Sequence, residues 1–133
     1  MPLRPEVTSD RTTALLLAGD ALCIALFATA GALQHPSPDP LFRRVPEIAA
    51  PFLLGWLVVG GFAGVFDREV YVEPRTLVVA VGIGWLGADL VGQLLRATTS
   101  LRGSAAPTFF IVTLFVGGAL LLGWRLLAAR TLR

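Results

Sequence analysis

The chain carries four stretches that are apolar all round, where a helix bathed in water would keep one polar face. They fall at about residues 12–33, 46–66, 74–95 and 107–127. Each is close to the ~20 residues a helix needs to cross a hydrocarbon core. Charge and turn residues gather only between them, in His35, Pro36, Pro38, Asp39 and Pro40, in Asp67, Arg68 and Glu69, and in residues 98–104. The predicted architecture is therefore all-α and integral to the membrane, with four transmembrane helices. Short loops make neighbours antiparallel, giving an up-down-up-down bundle. The whole of 1–133 reads as one membrane domain, with 1–11 as a short cytoplasmic tail.

Pro46, Pro74 and Pro107 each suit a first helical position, where a missing N–H is harmless. Pro51 then falls inside the second helix and should kink it. Arg4 and Arg11 precede a run ending in Ala28, Thr29 and Ala30, a pattern like a cleaved signal. The run is too long for that and contains Asp20, so a transmembrane helix is the better reading.

Small residues mark where helices should meet, since apolar side chains gain little by leaving equally apolar lipid. Ala14, Ala18, Ala21, Ala25, Ala28 and Ala32 form one seam on the first helix, which should face another helix. Gly60 with Gly64, and Ala80 with Gly84 and Ala88, have groove-forming spacing, and Gly117 and Gly118 offer a further site.

Composition agrees with the pattern. Of 133 residues 55% are hydrophobic and only 15% charged, and the mean hydropathy is +0.73; soluble domains carry roughly 25% charged residues. All eleven basic residues are arginine, and the formal net charge is +2. They sit at segment ends, which fits headgroup anchoring and no nucleic-acid footprint. Seven of them lie on the side of the termini and four on the other, which places both termini in the cytoplasm and the protein in the cell membrane.

Asp20 and Asp89 stand inside apolar runs, where a carboxylate costs about 2.5–3.5 kcal/mol. Depth counted at ~1.5 Å per residue sets Asp20 about level with Trp56 and Trp85, and Asp89 about level with Thr113. Asp89, Gln93 and Arg96 share one helix face; Arg96 should snorkel to the interface while lending positive potential to Asp89. These seven residues form the candidate intramembrane polar site. They read either as a proton or cation path, or a polar-ligand site, or as hydrogen bonds that fix helix register. His35, Trp124 and Arg125 read as interface residues.

Lone Cys23 and lone His35 give no metal cluster or disulfide, and no nucleophile-base pair or phosphate loop is present. No enzyme activity and no cofactor are expected. The expected partners are the lipid bilayer and either further copies of the chain or another membrane protein.

Several fragments together carry a family resemblance: Gly19 with Asp20, then His35, then Pro51, Phe52 and Gly55. Trp85 with Leu86, residues 91–96 (Val-Gly-Gln-Leu-Leu-Arg) and residues 122–125 (Leu-Gly-Trp-Arg) complete the set. In order and spacing the chain resembles the prokaryotic membrane-protein family catalogued as domain-of-unknown-function 3054, over roughly residues 19–125. Two positions depart from it, Ala32 to Gln34 lacking a basic cluster and Gln93 standing where a Met-like residue is expected. The resemblance implies a four-helix membrane protein and no particular activity. The leading expectation is a structural or accessory subunit of a membrane assembly; the alternative is a minimal proton-coupled small-molecule transporter using Asp20 or Asp89.

Overall fold

A computed structural model describes residues 10–34, 37–67, 73–98 and 107–132. Helix α1 spans Asp10–Gln34. Helix α2 runs Leu41–Gly55, continues through a π-helical segment at Trp56–Gly60 and ends with Gly61–Ala63. Helix α3 spans Pro74–Thr98 and α4 spans Pro107–Leu132. All four are long and apolar enough to cross a membrane. Large apolar side chains such as Leu22, Phe62, Leu94 and Phe115 face outward, as they must on a surface solvated by lipid.

Helices α3 and α4 begin at their prolines, where the missing N–H has no intrahelical partner. Helix α2 does not begin at Pro46. It starts five residues earlier, after extended Pro40, whose carbonyl accepts from the backbone N–H groups of Arg43 and Arg44. Arg43 and Arg44 look like loop residues because they are charged. Arg44 is nevertheless buried and donates to the Ala32 carbonyl, one of the last acceptors of α1 left open by the helix end. Pro46 and Pro51 thus both lie inside α2, where each removes a donor from the backbone ladder.

The other end of α2 is closed by a Schellman motif. Gly64, at φ 84°, is left-handed, its N–H bonds the Gly61 carbonyl, and the Val65 N–H bonds the Gly60 carbonyl. Gly64 is therefore a helix stop and no part of a helix-packing groove with Gly60. This stop also ends α2 at Ala63, short of Phe66.

Each helix packs on its neighbours in the chain, and α4 packs back on α1 to complete a ring; among the described residues the diagonal pairs do not approach at the backbone. Contacts run in opposite chain directions: Trp124 and Cys23 reach Leu16 and Leu120 across α1 and α4. Across α2 and α3, Gly55 abuts Ala88 and Gly60 abuts Gly84, backbone against backbone. The centre is aromatic. Phe27 meets Phe52 and Trp85 edge-on at 5.3 and 5.6 Å, and Trp56 meets Trp85 at 6.4 Å.

The alanine seam of α1 is turned only partly inward. Ala28 and Ala32 are buried against Ile48, but Ala14 and Ala18 are exposed. The inward face carries Leu16, Asp20, Ile24 and Phe27 instead. A carboxylate left in hydrocarbon costs more than small-residue packing returns, so Asp20 decides the rotation of the helix.

Gly55 tests the α2–α3 contact, because a Cβ there would lie 2.8 Å from the Ala88 carbonyl oxygen, which cannot swing away. Gly55→Val is expected to lower stability by ~1–3 kcal/mol, read by unfolding in detergent micelles. Gly82→Ala, where a Cβ meets nothing within 4 Å, should be tolerated.

Candidate functional site

Asp20 sits on the inward face of α1 and is fully buried. Arg125, on α4, donates to it twice, Nε to Oδ1 at 2.8 Å and one terminal nitrogen to Oδ2 at 2.7 Å. The Trp56 indole N–H adds a third bond, 2.9 Å to Oδ2. The other terminal nitrogen of Arg125 donates to the carbonyl of Val65, just past the Gly64 stop. The guanidinium also lies over the Phe66 ring at 5.2 Å and the Trp56 ring at 5.8 Å. Side-by-side bonds of this kind are the strongest geometry open to a guanidinium and a carboxylate. Both groups are 0% exposed, so charge, hydrogen bonds and aromatic faces all come from protein.

Arg125 is therefore no interface anchor. Helix α4 continues to Leu132, beyond the expected end at 127, so Arg125 lies about two turns inside it and level with Asp20. The signal was present in the apolar residues 126–129 that follow it. Trp124 is likewise half-buried. Its indole donates to the Leu16 carbonyl at 3.2 Å, and its ring fills the space where a side chain at Gly19 would stand.

The second polar layer lies between α3 and α4. Asp89 is fully buried, and its Oδ1 lies 2.7 Å from the Thr113 hydroxyl oxygen and receives the Gln93 amide at 3.3 Å. Among the described residues nothing donates to Asp89 Oδ2 or to Gln93 Oε1, although both atoms are buried. Trp85 does not join Asp20. Its indole donates to the Thr113 backbone carbonyl at 3.0 Å, and its ring lies on Gly117, because α3 is diagonal to α1 and adjacent to α4.

Arg96 does not snorkel out. It is buried and lies 5.9 Å from the centre of the Phe52 ring. Among the described residues, the partners of Asp89 are Gln93 and Thr113 alone, so Arg96 makes no ion pair with it. His35 lies outside the described residues. The structure thus gathers Asp20 with Trp56, and Asp89 with Gln93 and Thr113. It adds Arg125, which the sequence suggested as an interface residue, and Val65 and Phe66, which sequence reasoning did not assign.

The two layers differ in chemistry. The first has every charged oxygen answered by donors and a cation, whereas the second keeps two acceptor oxygens without one. The sequence profile of the family described as "Protein of unknown function (DUF3054)" matches residues 17–128, which include both layers. No curated protein and no solved structure matches the chain.

Removing one partner of a buried ion pair strands the other and costs ~3–5 kcal/mol, whereas replacing both by apolar groups is far milder. Asp20→Leu and Arg125→Met should each be destabilised by about that much. The double variant should be closer to wild type than the sum of the two losses, as read by unfolding in mixed micelles. Strictly additive losses would show no coupling between the pair.

Proposed function

The chain belongs to the DUF3054 family of proteins of unknown function, and we propose that it serves as a structural or accessory subunit of an assembly in the cytoplasmic membrane. On this reading both termini face the cytoplasm, following the arginine bias, and the chain works beside further copies of itself or another membrane protein. It carries out no reaction of its own.

The observation that carries the reading is the complete satisfaction of Asp20. A carboxylate that shuttles protons must lose its partners in each cycle, yet Asp20 is tied to α4 through Arg125 and to α2 through Trp56. Such a contact holds helices in register. The exposed small residues Ala14 and Ala18 on α1 support the same reading, since they leave room for a close-packed neighbouring helix.

A second reading, a minimal proton-coupled transporter, is favoured by one observation: buried Asp89 has an oxygen with no donor among the described residues. Intramembrane acids of that kind mark proton paths in transporters.

Two measurements separate the readings. Extracted directly from its native membrane into lipid nanodiscs, the chain should migrate in a particle heavier than one 14.1 kDa copy; a lone copy would overturn the accessory role. In proteoliposomes under an imposed pH gradient, wild type, Asp89→Asn and empty vesicles should collapse the gradient at the same rate. Flux present in wild type and lost in Asp89→Asn would favour the transporter.

A further inference from the structure

Thr113 poses a hydrogen-counting problem. Its hydroxyl oxygen lies 2.7 Å from Asp89 Oδ1 and 3.0 Å from the Phe110 carbonyl oxygen, both within bonding distance. A hydroxyl has one hydrogen, while an ionised carboxylate and a carbonyl can only accept. With Asp89 ionised, the single hydrogen must go to the carboxylate or be split between the two oxygens, so the Phe110 carbonyl keeps at most a weak, bent share of it.

A hydrogen on Asp89 Oδ1 removes the conflict. The carboxyl donates to Thr113, and Thr113 passes its own hydrogen on to the carbonyl of Phe110. Two further observations point the same way. Oδ2 is buried with no donor among the described residues, whereas each oxygen of Asp20 has at least one donor and a guanidinium beside it. The Gln93 amide stands 3.3 Å from Oδ1, longer than the ~2.9–3.0 Å usual for an N–H donor. A carboxylate bearing full charge would draw it closer.

We infer that Asp89 is a proton-binding site: in the folded protein its carboxyl carries a hydrogen, donated to Thr113, so that the layer is neutral. The groups that face it are Gln93 from its own helix and Thr113 from α4, and no charged group among the described residues contacts it. An ionised buried carboxylate in such surroundings is too costly to keep, and taking up a proton is the usual escape. The proton then joins α3 to α4, because its loss leaves Thr113 one hydrogen for two oxygens. The assignment holds whether or not the protein transports anything, and so stands apart from the accessory and transporter readings.

Infrared spectroscopy of the chain in bilayers at neutral pH tests this directly. The wild type should show the carbonyl stretch of a protonated carboxyl, on the high-frequency side of the amide band, equivalent to one group. Carbon-13 labelling of aspartate should move it down, and Asp89→Asn, which keeps size and a donor, should abolish it. Thr113→Val should move the band up, since the carboxyl loses its acceptor. No such band in the labelled wild type would overturn the inference, independently of how any variant folds. A band that survives in Asp89→Asn would overturn it too, and one unmoved by Thr113→Val would overturn the donation to Thr113.

Discussion

Asp20 lies in the first helix and Arg125 in the last, and neither can remain in hydrocarbon alone. Their contact therefore governs how the ring closes. It fixes the depth of α4 against α1 and brings Trp124 onto the Leu16 carbonyl and Gly19. It also rotates α1, because the face holding Asp20 must turn inward and the upper alanines must then turn outward. Small-residue packing in lipid rests on dispersion between closely approaching backbones, whereas a misplaced carboxylate costs about 2.5–3.5 kcal/mol. The carboxylate therefore sets the orientation and the alanines follow.

The end of α2 is shaped around the same guanidinium. The π-helical segment opens at Trp56, whose indole donates to Asp20. Such segments re-aim the residues they contain and recur where a side chain must be placed against the helical repeat. Left-handed Gly64 then stops the helix and redirects the chain, so that the Val65 carbonyl meets Arg125 and the Phe66 ring lies beneath it. A non-glycine residue at φ 84° would be strained. The turn is thus part of the ion-pair site, although it lies more than 40 residues from either charge in the sequence.

Much of the helix framework was legible because hydrocarbon thickness and proline chemistry act locally. The starts of α3 and α4 are set by Pro74 and Pro107, and the level of Asp89 with Thr113 follows from rise per residue alone. Arg125 was not legible in the same way. An arginine beside a tryptophan near the end of an apolar run has the pattern of a headgroup anchor, and the weak counter-signal of apolar residues 126–129 becomes decisive once the helix is seen to continue to Leu132. Arg44 misleads for the mirror-image reason, since a charged residue expected in a loop instead answers an open carbonyl of α1. Trp85 shows the limit of depth as an argument: it gives level but not azimuth, and the diagonal position of α3 directs its indole to Thr113.

The two buried acids are governed by what stands opposite each of them. Asp20 faces a helix that brings a fixed cation, so charge can be kept and used to hold three helices together. Asp89 faces a threonine and a glutamine, groups that can orient a carboxyl but cannot neutralise it. Geometry then leaves the proton as the group that balances the layer. An acid paired with arginine behaves as a lock, because opening it strands two charges. An acid balanced by a proton can change state by moving one hydrogen, with the Thr113 and Gln93 contacts rearranging around it. Of the two buried layers, the α3–α4 contact is thus the one a single proton can alter, while the α1–α4 ion pair stays fixed.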